Sequence, residues 1–142
     1  MRLTHYTDFA LRVLLYLGTH PEQICPISEI AQTYGISQNH LVKVVHDLGK
    51  AGYVAGTRGR FGGIRLARPA EAINVGAVVR HTEDDFRLAD CGGCLIAPAC
   101  GLSCALDEAM AAFMAVLDRY TLADLLAKRG NLATLFRRKA AS

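Results

Sequence analysis

The stretch SEIAQTYGISQNHLVKVVHDLGKAG, residues 28–52, decides the fold. Ser28 is suited to cap a helix over Glu29–Tyr34, which ends at Gly35, and Ser37 is suited to cap the helix that follows. The apolar residues that recur at helical spacing in this second helix are Leu41, Val44, Val45 and Leu48. Two short helices joined by a tight turn containing glycine predict a helix-turn-helix.

The residues on either side of this stretch extend it to three helices and a hairpin. Upstream, Thr7 is suited to cap a helix over Phe9–Leu17. Downstream the helical spacing stops, and residues 53–55 and 64–66 are typical of two short strands joined by the turn TRGRFGG. Three helices followed by a basic hairpin predict a winged helix-turn-helix DNA-binding domain over residues 1–70.

A long amphipathic helix is predicted in the last part of the chain, residues 102–142. Apolar residues recur there at spacings of four, four, three, four and three, which places them on one helical stripe. They are Leu102, Leu106, Met110, Phe113, Leu117 and Tyr120. We expect one side of this helix to pack on the core and another side on a second protomer, which makes it a dimerisation helix.

Shorter elements complete the prediction. A fourth helix over Val75–His81 belongs, with the cysteine-rich loop after it, to a connecting region over residues 71–101. A short helix is expected over Leu122–Lys128 and another short helical piece after Asn131, and the basic tail Arg137–Lys139 is expected to be frayed. The predicted fold class is mainly α with a small β-hairpin wing, a winged helix-turn-helix domain plus a long dimerisation helix.

Charge is distributed unevenly along the chain. Residues 1–70 carry eight Lys/Arg against four Asp/Glu, whereas residues 71–142 carry eight against nine. A basic first half is expected of a protein that binds the phosphate backbone, although a solvated basic face would carry the same charge. No apolar run approaches the roughly 20 residues of a membrane span, so a cytoplasmic protein without a membrane partner is expected.

The helix after the glycine turn begins with four polar residues, Ser37, Gln38, Asn39 and His40. Residues near the start of a recognition helix reach base edges in the major groove, where Gln and Asn can pair with adenine. Lys43, one turn further on, is suited to a phosphate. An ordinary exposed helix start would look similar, but the place of these residues in a helix-turn-helix favours DNA reading.

The turn between the two predicted strands combines arginine with glycine. Arg58 and Arg60 can enter a narrow minor groove, while Gly62 and Gly63 allow a tight tip and a close approach of the backbone. Arg65 adds a positive charge on the returning strand. A plain solvated turn is the alternative, but the preceding helices favour a wing, so these five residues are predicted to contact DNA.

Four of the five cysteines lie within fourteen residues, at Cys91, Cys94, Cys100 and Cys104. The spacing Cys-x2-Cys-x5-Cys-x3-Cys is typical of metal binding or redox chemistry rather than of a disulfide framework. Thiolates suit an iron–sulfur cluster or zinc, but structural zinc sites usually pair two separated Cys-x2-Cys elements. An iron–sulfur cluster is therefore ranked first, zinc second and a disulfide switch third. The fifth cysteine, Cys25, is expected to be a free thiol.

Several longer stretches carry a resemblance to a known family. The chain resembles the Rrf2 family of winged-helix repressors in its opening MRLTHYTDFALRVLLYL, in ISEIAQTYGISQNHLVKVVHDLGKAGYV, in the wing RGRFGGIRLARPA, and in CLIAPACGL and DRYTLADL. Within that family it resembles the nitric-oxide-sensing iron–sulfur repressors. The resemblance implies a homodimer that binds palindromic double-stranded operator DNA while its cluster, 2Fe–2S or 4Fe–4S, is intact. Nitric oxide attacks the cluster, DNA is released, and nitrosative-stress genes are derepressed.

The resemblance also implies a set of cluster ligands. The three cysteine ligands of the family match Cys91, Cys94 and Cys100. The fourth ligand of some members, an aspartate from the partner subunit, matches Asp8, and Cys104 is the alternative fourth ligand or a bystander. The gap between the first two cysteines is shorter than in several relatives, which puts the ligand geometry in doubt.

Other functions are compatible with parts of the sequence. A regulator of the same fold could sense iron, redox cycling or thiol oxidation instead of nitric oxide. The iron–sulfur-assembly regulator of the family uses a histidine where this chain has Ser103, which disfavours that subtype. An enzyme is not expected, because no nucleotide-phosphate loop, Ser-His-Asp arrangement or pair of catalytic carboxylates is recognisable.

Overall fold

A computed structural model describes residues 1–127 and 131–141 of the chain. The helices are α1 (His5–Thr19), α2 (Ile27–Tyr34), α3 (Gln38–Lys50), α4 (Val75–Thr82), α5 (Gly101–Leu117), α6 (Leu122–Ala127) and α7 (Leu132–Ala141), and the strands are β1 (Val54–Thr57) and β2 (Gly63–Leu66). This mainly helical architecture with one hairpin confirms the predicted fold class. Within the described ranges, no helix is long and apolar enough to cross a membrane.

Helix α1 begins four residues before the predicted start, because Thr4 caps it rather than Thr7. The Thr4 hydroxyl accepts a hydrogen bond from the Thr7 amide at 3.3 Å. Thr7 itself is buried in the first turn. The prediction of Thr7 as the cap is therefore wrong: both threonines suit the position, but only Thr4 has the extended backbone that a cap requires.

Helices α2 and α3 form the predicted pair around a glycine turn. Helix α2 begins at Ile27 after Pro26, so the predicted cap Ser28 lies inside the helix. Gly35 ends α2 in the left-handed conformation, with φ 67°, as predicted. Ser37 stands immediately before α3, also as predicted, but its hydroxyl makes no capping hydrogen bond.

The wing is a two-stranded antiparallel hairpin in which Thr57 pairs with Gly63. Strand β1 begins one residue later than predicted, because the Tyr53 amide donates to the Leu48 carbonyl of α3 at 2.9 Å. A third segment joins the hairpin beside β2: the Cys25 amide donates to the Ile64 carbonyl at 2.8 Å, and the Ile64 amide donates back at 2.9 Å. Because Ile64 is the second residue of β2 after the turn, the wing is bonded near its tip to the loop before α2.

Helix α4 has the predicted cap, since the Asn74 side chain accepts a hydrogen bond from the Ala77 amide at 2.9 Å. Helix α6 matches its prediction to Ala127, and the predicted last residue, Lys128, lies outside the described residues. The predicted frayed tail is wrong. Residues 137–139 belong to α7, which is held by packing of the Phe136 ring on Tyr16, with the ring centroids 5.0 Å apart.

Helix α5 packs on the rest of the chain through Met114, which is 6% exposed and lies outside the predicted stripe. Only part of the stripe turns away from the core: Leu102 is 58% exposed and Phe113 is 39% exposed. The other four stripe residues are half-buried: Leu106, Met110, Leu117 and Tyr120. Val116, beside the stripe, is exposed as well. One face of α5 is therefore apolar and uncovered in the single chain.

The core is formed where α1, α3, α4 and α6 meet. Its fully buried side chains include Val13, Leu14, Leu17, Leu41, Val44, Leu48, Val78 and Leu122. Because the apolar face of α3 is buried in this core, the polar residues at its start are directed outward.

Candidate functional site

The predicted recognition residues occupy the exposed start of α3. Ser37, Gln38, Asn39 and His40 are all exposed, and Lys43 is exposed one turn further on. The Ser37 hydroxyl is not used as a cap, so it is available to a ligand. The helix therefore presents a row of neutral hydrogen-bonding groups followed by one cation, which suits base edges and a phosphate.

A groove runs between the start of α3 and the wing. Gln38 lines it from the helix, and Arg58, Gly62 and Gly63 line it from the wing. Ser28 of α2 lies in the same groove. The structure thus brings together one predicted base-reading residue and three predicted wing residues on a single concave surface.

Gly62 and Gly63 are required by the wing itself. A Cβ atom on Gly62 would lie 2.2 Å from the Thr57 carbonyl oxygen, and one on Gly63 would lie 2.4 Å from the Cys25 carbonyl oxygen. Only glycine fits such close backbone approaches. Their predicted contact with DNA stays a prediction, since the structure accounts for both residues within the protein.

The tip of the wing is basic and aromatic. The Arg60 guanidinium lies 5.7 Å from the centre of the Phe61 ring, and Phe61 is 87% exposed. Arg65, by contrast, lines a separate depression with His20 and Arg68. The structure therefore does not bring Arg65 into the groove that the other wing residues share.

Cys25 is buried and forms no disulfide. Burial raises the pKa of its thiol to about 11, with a smaller contribution from the nearby Glu29 carboxylate. A raised pKa keeps the thiol protonated at neutral pH, and the protonated form is a poor nucleophile. This environment fits the expectation of an unreactive free thiol.

Cysteine alkylation tests this assignment. In cluster-free protein at pH 7.5, iodoacetamide should label the exposed Cys94 and Cys104 at least roughly a hundredfold faster than Cys25. Peptide mass spectrometry of timed samples gives the rates, and unfolding in guanidinium before labelling is the control that should equalise them. Labelling of Cys25 in the folded protein at the rate of Cys94 would contradict its burial.

The cysteine loop leads directly into α5. Cys91 and Cys100 are half-buried, Cys94 and Cys104 are exposed, and all four are free thiols. Cys100 occupies the position before the first residue of α5, and Cys104 lies in its first turn. Cys100 is therefore beside the positive end of a helix dipole, which favours negatively charged groups such as thiolates.

The backbone hydrogen bonds of the loop are local. The Cys94 amide donates to the Cys91 carbonyl at 3.3 Å, and the Cys100 amide donates to the Ala97 carbonyl at 3.4 Å. Across residues 1–127 and 131–141, no three His, Cys, Asp or Glu side chains converge closely enough to hold a metal ion. The donor set nevertheless fits an iron–sulfur cluster chemically, because it offers three or four free, soft thiols on a segment without a fixed core.

Asp8 lies on α1 and is ion-paired within the chain. The Nε atom of Arg12 donates to Asp8 Oδ1 at 3.0 Å, and the Asp8 side chain is 39% exposed. The Arg12 guanidinium also lies 5.7 Å from the centre of the Tyr34 ring. Asp8 thus supports the start of α1, as a carboxylate in a first turn does, and remains accessible to a second protomer.

Sequence reasoning missed a polar contact beneath the recognition helix. Asp47 of α3 lies 3.0 Å from His81 of α4, Oδ2 to Nε2. The signal in the sequence was that Asp47 is the only acidic residue between Glu29 and Glu71. An isolated carboxylate in a basic segment usually has a specific partner, but the spacing does not identify that partner.

Comparison with known proteins identifies the relatives of this chain. Residues 3–128 match the family described as "Rrf2: Iron-dependent Transcriptional regulator". The chain is 48% identical over 141 residues to the HTH-type transcriptional regulator NsrR of Bacillus licheniformis, covering 95% of this chain and 99% of that protein. It is 49% identical over 145 residues to the regulator of the same name from Bacillus subtilis, covering 98% of this chain and 99% of that protein.

Solved structures share the fold. The global cysteine regulator CymR of Bacillus subtilis superposes with a TM-score of 0.72 at 26% sequence identity, covering 92% of this chain and 99% of that one. The similarity in fold therefore extends over most of the chain.

Proposed function

Because the chain belongs to the Rrf2 family of transcriptional regulators, as its sequence predicted, we propose that it is a repressor of the NsrR type that senses nitric oxide. In this proposal, an iron–sulfur cluster on the cysteine loop controls binding to palindromic operator DNA. The observation that carries the proposal is the loop of four free cysteines that leads into α5. It occurs in a chain with 48–49% sequence identity to regulators named NsrR.

DNA binding is proposed to use the groove between α3 and the wing. The outward-facing Gln38 and Asn39 are suited to base edges in the major groove, and Arg58 and Arg60 are suited to the adjacent minor groove. Lys43 supplies a phosphate contact. Arg65, which faces a separate depression, is assigned a contact with the flanking backbone.

Replacing the wing arginine tests this interface. Arg60→Ala should weaken DNA binding by about 1–3 kcal/mol, roughly 5–150-fold. The slope of log Kd against log salt concentration should also fall by about one, since one positive charge at the DNA is lost. The measurement is fluorescence anisotropy over a salt series, with a DNA duplex selected from a random pool by the cluster-loaded wild-type protein. Arg119→Ala removes the same charge from the other half of the chain and is the control. Unaltered affinity in Arg60→Ala would remove the wing from the proposed interface.

The cluster is proposed to be held by Cys91, Cys94 and Cys100. When bound, an iron–sulfur cluster supplies iron atoms that react with nitric oxide. The protein contributes a loop with few constraints of its own, and the start of α5, whose dipole favours the negative charge of the thiolates. Without the bonds from its thiolates to a cluster, the loop would be held only by its local backbone hydrogen bonds.

The fourth ligand is proposed to be Asp8 of the partner subunit, ahead of Cys104. A carboxylate binds iron more weakly than a thiolate, which suits a site that must open to a small molecule. To serve as a ligand, Asp8 must release or share its bond with Arg12, so the same arginine can hold the carboxylate when no cluster is bound. Cys104 lies on the first turn of α5 and is treated as a bystander.

The dimer is proposed to form through α5. Leu102, Phe113 and Val116 are exposed on one face of this helix. An uncovered apolar face on a 17-residue helix is costly in water, and a second copy of the same face would cover it. A two-fold dimer also matches a palindromic operator, since each protomer then reads one half-site.

Anaerobic purification followed by nitric oxide titration tests the sensing function. The protein should show the visible absorption of an iron–sulfur cluster, and nitric oxide should change this spectrum and release the selected duplex together. A colourless protein loaded with zinc would exclude the cluster. A cluster that nitric oxide leaves intact, with DNA still bound, would favour the alternative, a regulator of the same fold that senses iron, redox cycling or thiol oxidation.

A further inference from the structure

A group of polar side chains connects three helices at the point where α4 ends and the segment toward the cysteine loop begins. We define this group, the Asp47 cluster, as Thr4, Tyr6, Asp47, His81 and Glu83. Thr4 and Tyr6 lie at the start of α1, Asp47 lies on α3, and His81 and Glu83 lie at the end of α4. The group lies outside the DNA-facing groove and contains none of the proposed cluster ligands.

Asp47 is the centre of this group. Its Oδ2 atom lies 3.0 Å from His81 Nε2, and its carboxylate also faces the Tyr6 hydroxyl. Burial, with the nearby Asp47 carboxylate, raises the pKa of Tyr6 to about 12. The ring of His81 is also in edge contact with Tyr53, with the centroids 6.3 Å apart. One carboxylate on the recognition helix thus faces both α1 and α4.

Glu83 forms the second connection. Its Oε1 atom accepts hydrogen bonds from the Thr4 amide at 2.7 Å and from the Thr4 hydroxyl at 3.0 Å. Glu83 is the residue at which α4 ends and the segment toward Cys91 begins. Thr4 caps α1, the helix that carries Asp8.

These contacts connect the cysteine loop of the chain to the recognition helix, and with it helix α1, whose Asp8 is proposed to serve the partner's cluster. The loop that carries the cysteines begins at Glu83, and Asp8 lies one turn after Thr4. A displacement of the cysteine loop moves the end of α4, and a displacement of Asp8 moves the start of α1. Both helices face Asp47 of α3, through His81 and Tyr6 respectively. The contacts are half-exposed, so their effect on overall stability is small and their effect is mainly on orientation.

We propose that Asp47 is a positioning residue that transmits the state of the cysteine loop to the recognition helix through His81 and Tyr6. This inference rests on the proposed function, since it names the route by which cluster loading changes DNA affinity. Such a route requires that the contacts of Asp47 have two arrangements, one with the cluster bound and one without it. Its strength is measured by how much cluster loading changes the affinity for DNA.

The test compares DNA affinity with and without the cluster in variants of the full-length protein. The quantity measured is the ratio of the Kd values of cluster-free and cluster-loaded protein for the selected duplex. In Asp47→Ala this ratio should fall from a wild-type value of about 5–150 to within about threefold of one. His81→Leu keeps an apolar contact with Tyr53 but loses the bond to Asp47, and its ratio should fall in the same way.

Two further variants separate positioning from a general structural effect. Asp47→Asn keeps an oxygen that can accept from His81 and Tyr6, so it should retain most of the ratio. His46→Gln changes the neighbouring exposed residue of α3, so any effect on DNA contact should appear in both states and leave the ratio unchanged. Circular dichroism checks folding, and His81→Leu carries the test if Asp47→Ala does not fold. Where the wild-type ratio is well above one, an equal ratio in Asp47→Ala and His81→Leu would overturn the inference.

Hydrogen exchange separates this inference from the proposed sensing function. In the absence of DNA, cluster loading should slow exchange of the α3 amides in the wild type and have little effect on them in Asp47→Ala. If the wild-type Kd ratio is one while this difference is present, cluster-controlled repression fails but the Asp47 route stands. If loading changes exchange at α3 equally in both proteins, the route is wrong even where the Kd ratio is large.

Discussion

Cys94→Ala should abolish the cluster and release repression, which is the largest effect that we expect from one substitution. Cys94 is exposed on the loop, so its side chain supports no core and the loss of its thiol should leave the fold intact. A three-cysteine site that loses one thiolate retains too few soft ligands to hold iron. The visible absorption of the anaerobically purified protein should disappear, and affinity for the selected duplex should fall about 5–150-fold, to the cluster-free value.

Cys104→Ala is the matched control for this prediction. It removes an equally exposed thiol, one turn into α5, and should leave both absorption and DNA affinity unchanged. Loss of the cluster in both variants would show that Cys104 is a ligand and would displace Asp8 of the partner subunit from the fourth position. Full absorption and full repression in Cys94→Ala would contradict the cluster assignment itself.

Phe113→Lys should convert the proposed dimer into a monomer. Phe113 is 39% exposed on the apolar face of α5, and in a two-fold dimer the same substitution would place a lysine in the interface from each protomer. Burying an unpaired charge in an apolar interface costs more than the apolar contact gains. Because each monomer can hold only one half-site, affinity for a palindromic duplex should fall about 10²–10⁴-fold.

Light scattering and anisotropy measure these two effects together. Ala111→Lys introduces the same charge on the same helix, but at a position on the polar side with Asp107 and Asp118, and it should remain dimeric with normal affinity. A dimeric Phe113→Lys with wild-type affinity would place the dimer interface on another surface.

The helix-turn-helix could be predicted from the sequence because its signals are local. Gly35 ends α2 in a left-handed conformation, and the apolar spacing from Leu41 to Leu48 identifies the buried face of α3. Such signals lie within a few residues of one another. The choice between Thr4 and Thr7 as the cap of α1 was less clear, because it depends on which hydroxyl the core encloses.

Contacts between distant segments could not be predicted in the same way. The pairing of Asp47 with His81 depends on how α3 and α4 cross, which periodicity does not determine. The stripe on α5 was recognised, but its division into half-buried residues and the exposed Leu102 and Phe113 depends on how α5 packs on α4. For Gly63 the expected close backbone approach is present, and the neighbour is the Cys25 carbonyl of the same chain.

For the candidate site, the sequence located the recognition helix and the wing and left their relative placement undetermined. Gln38 and Arg58 lie on elements separated by a turn and a strand, and only the fold brings them into one groove. The cysteine ligands follow from residue type and resemblance, and their arrangement around a cluster stays a prediction. A loop whose order depends on a bound group contains little local information about its own geometry.

The pair of backbone bonds between Cys25 and Ile64 has a consequence for the entropy of DNA binding. Fixing one residue of a free chain costs about 1–2 kcal/mol, so a mobile hairpin would lose much of its binding energy when it became ordered on DNA. Here β2, next to the tip, is already bonded to the loop before α2, and the Gly62 amide bonds the Gly59 carbonyl within the tip itself. Most of that entropy is therefore lost when the chain folds rather than when it binds DNA.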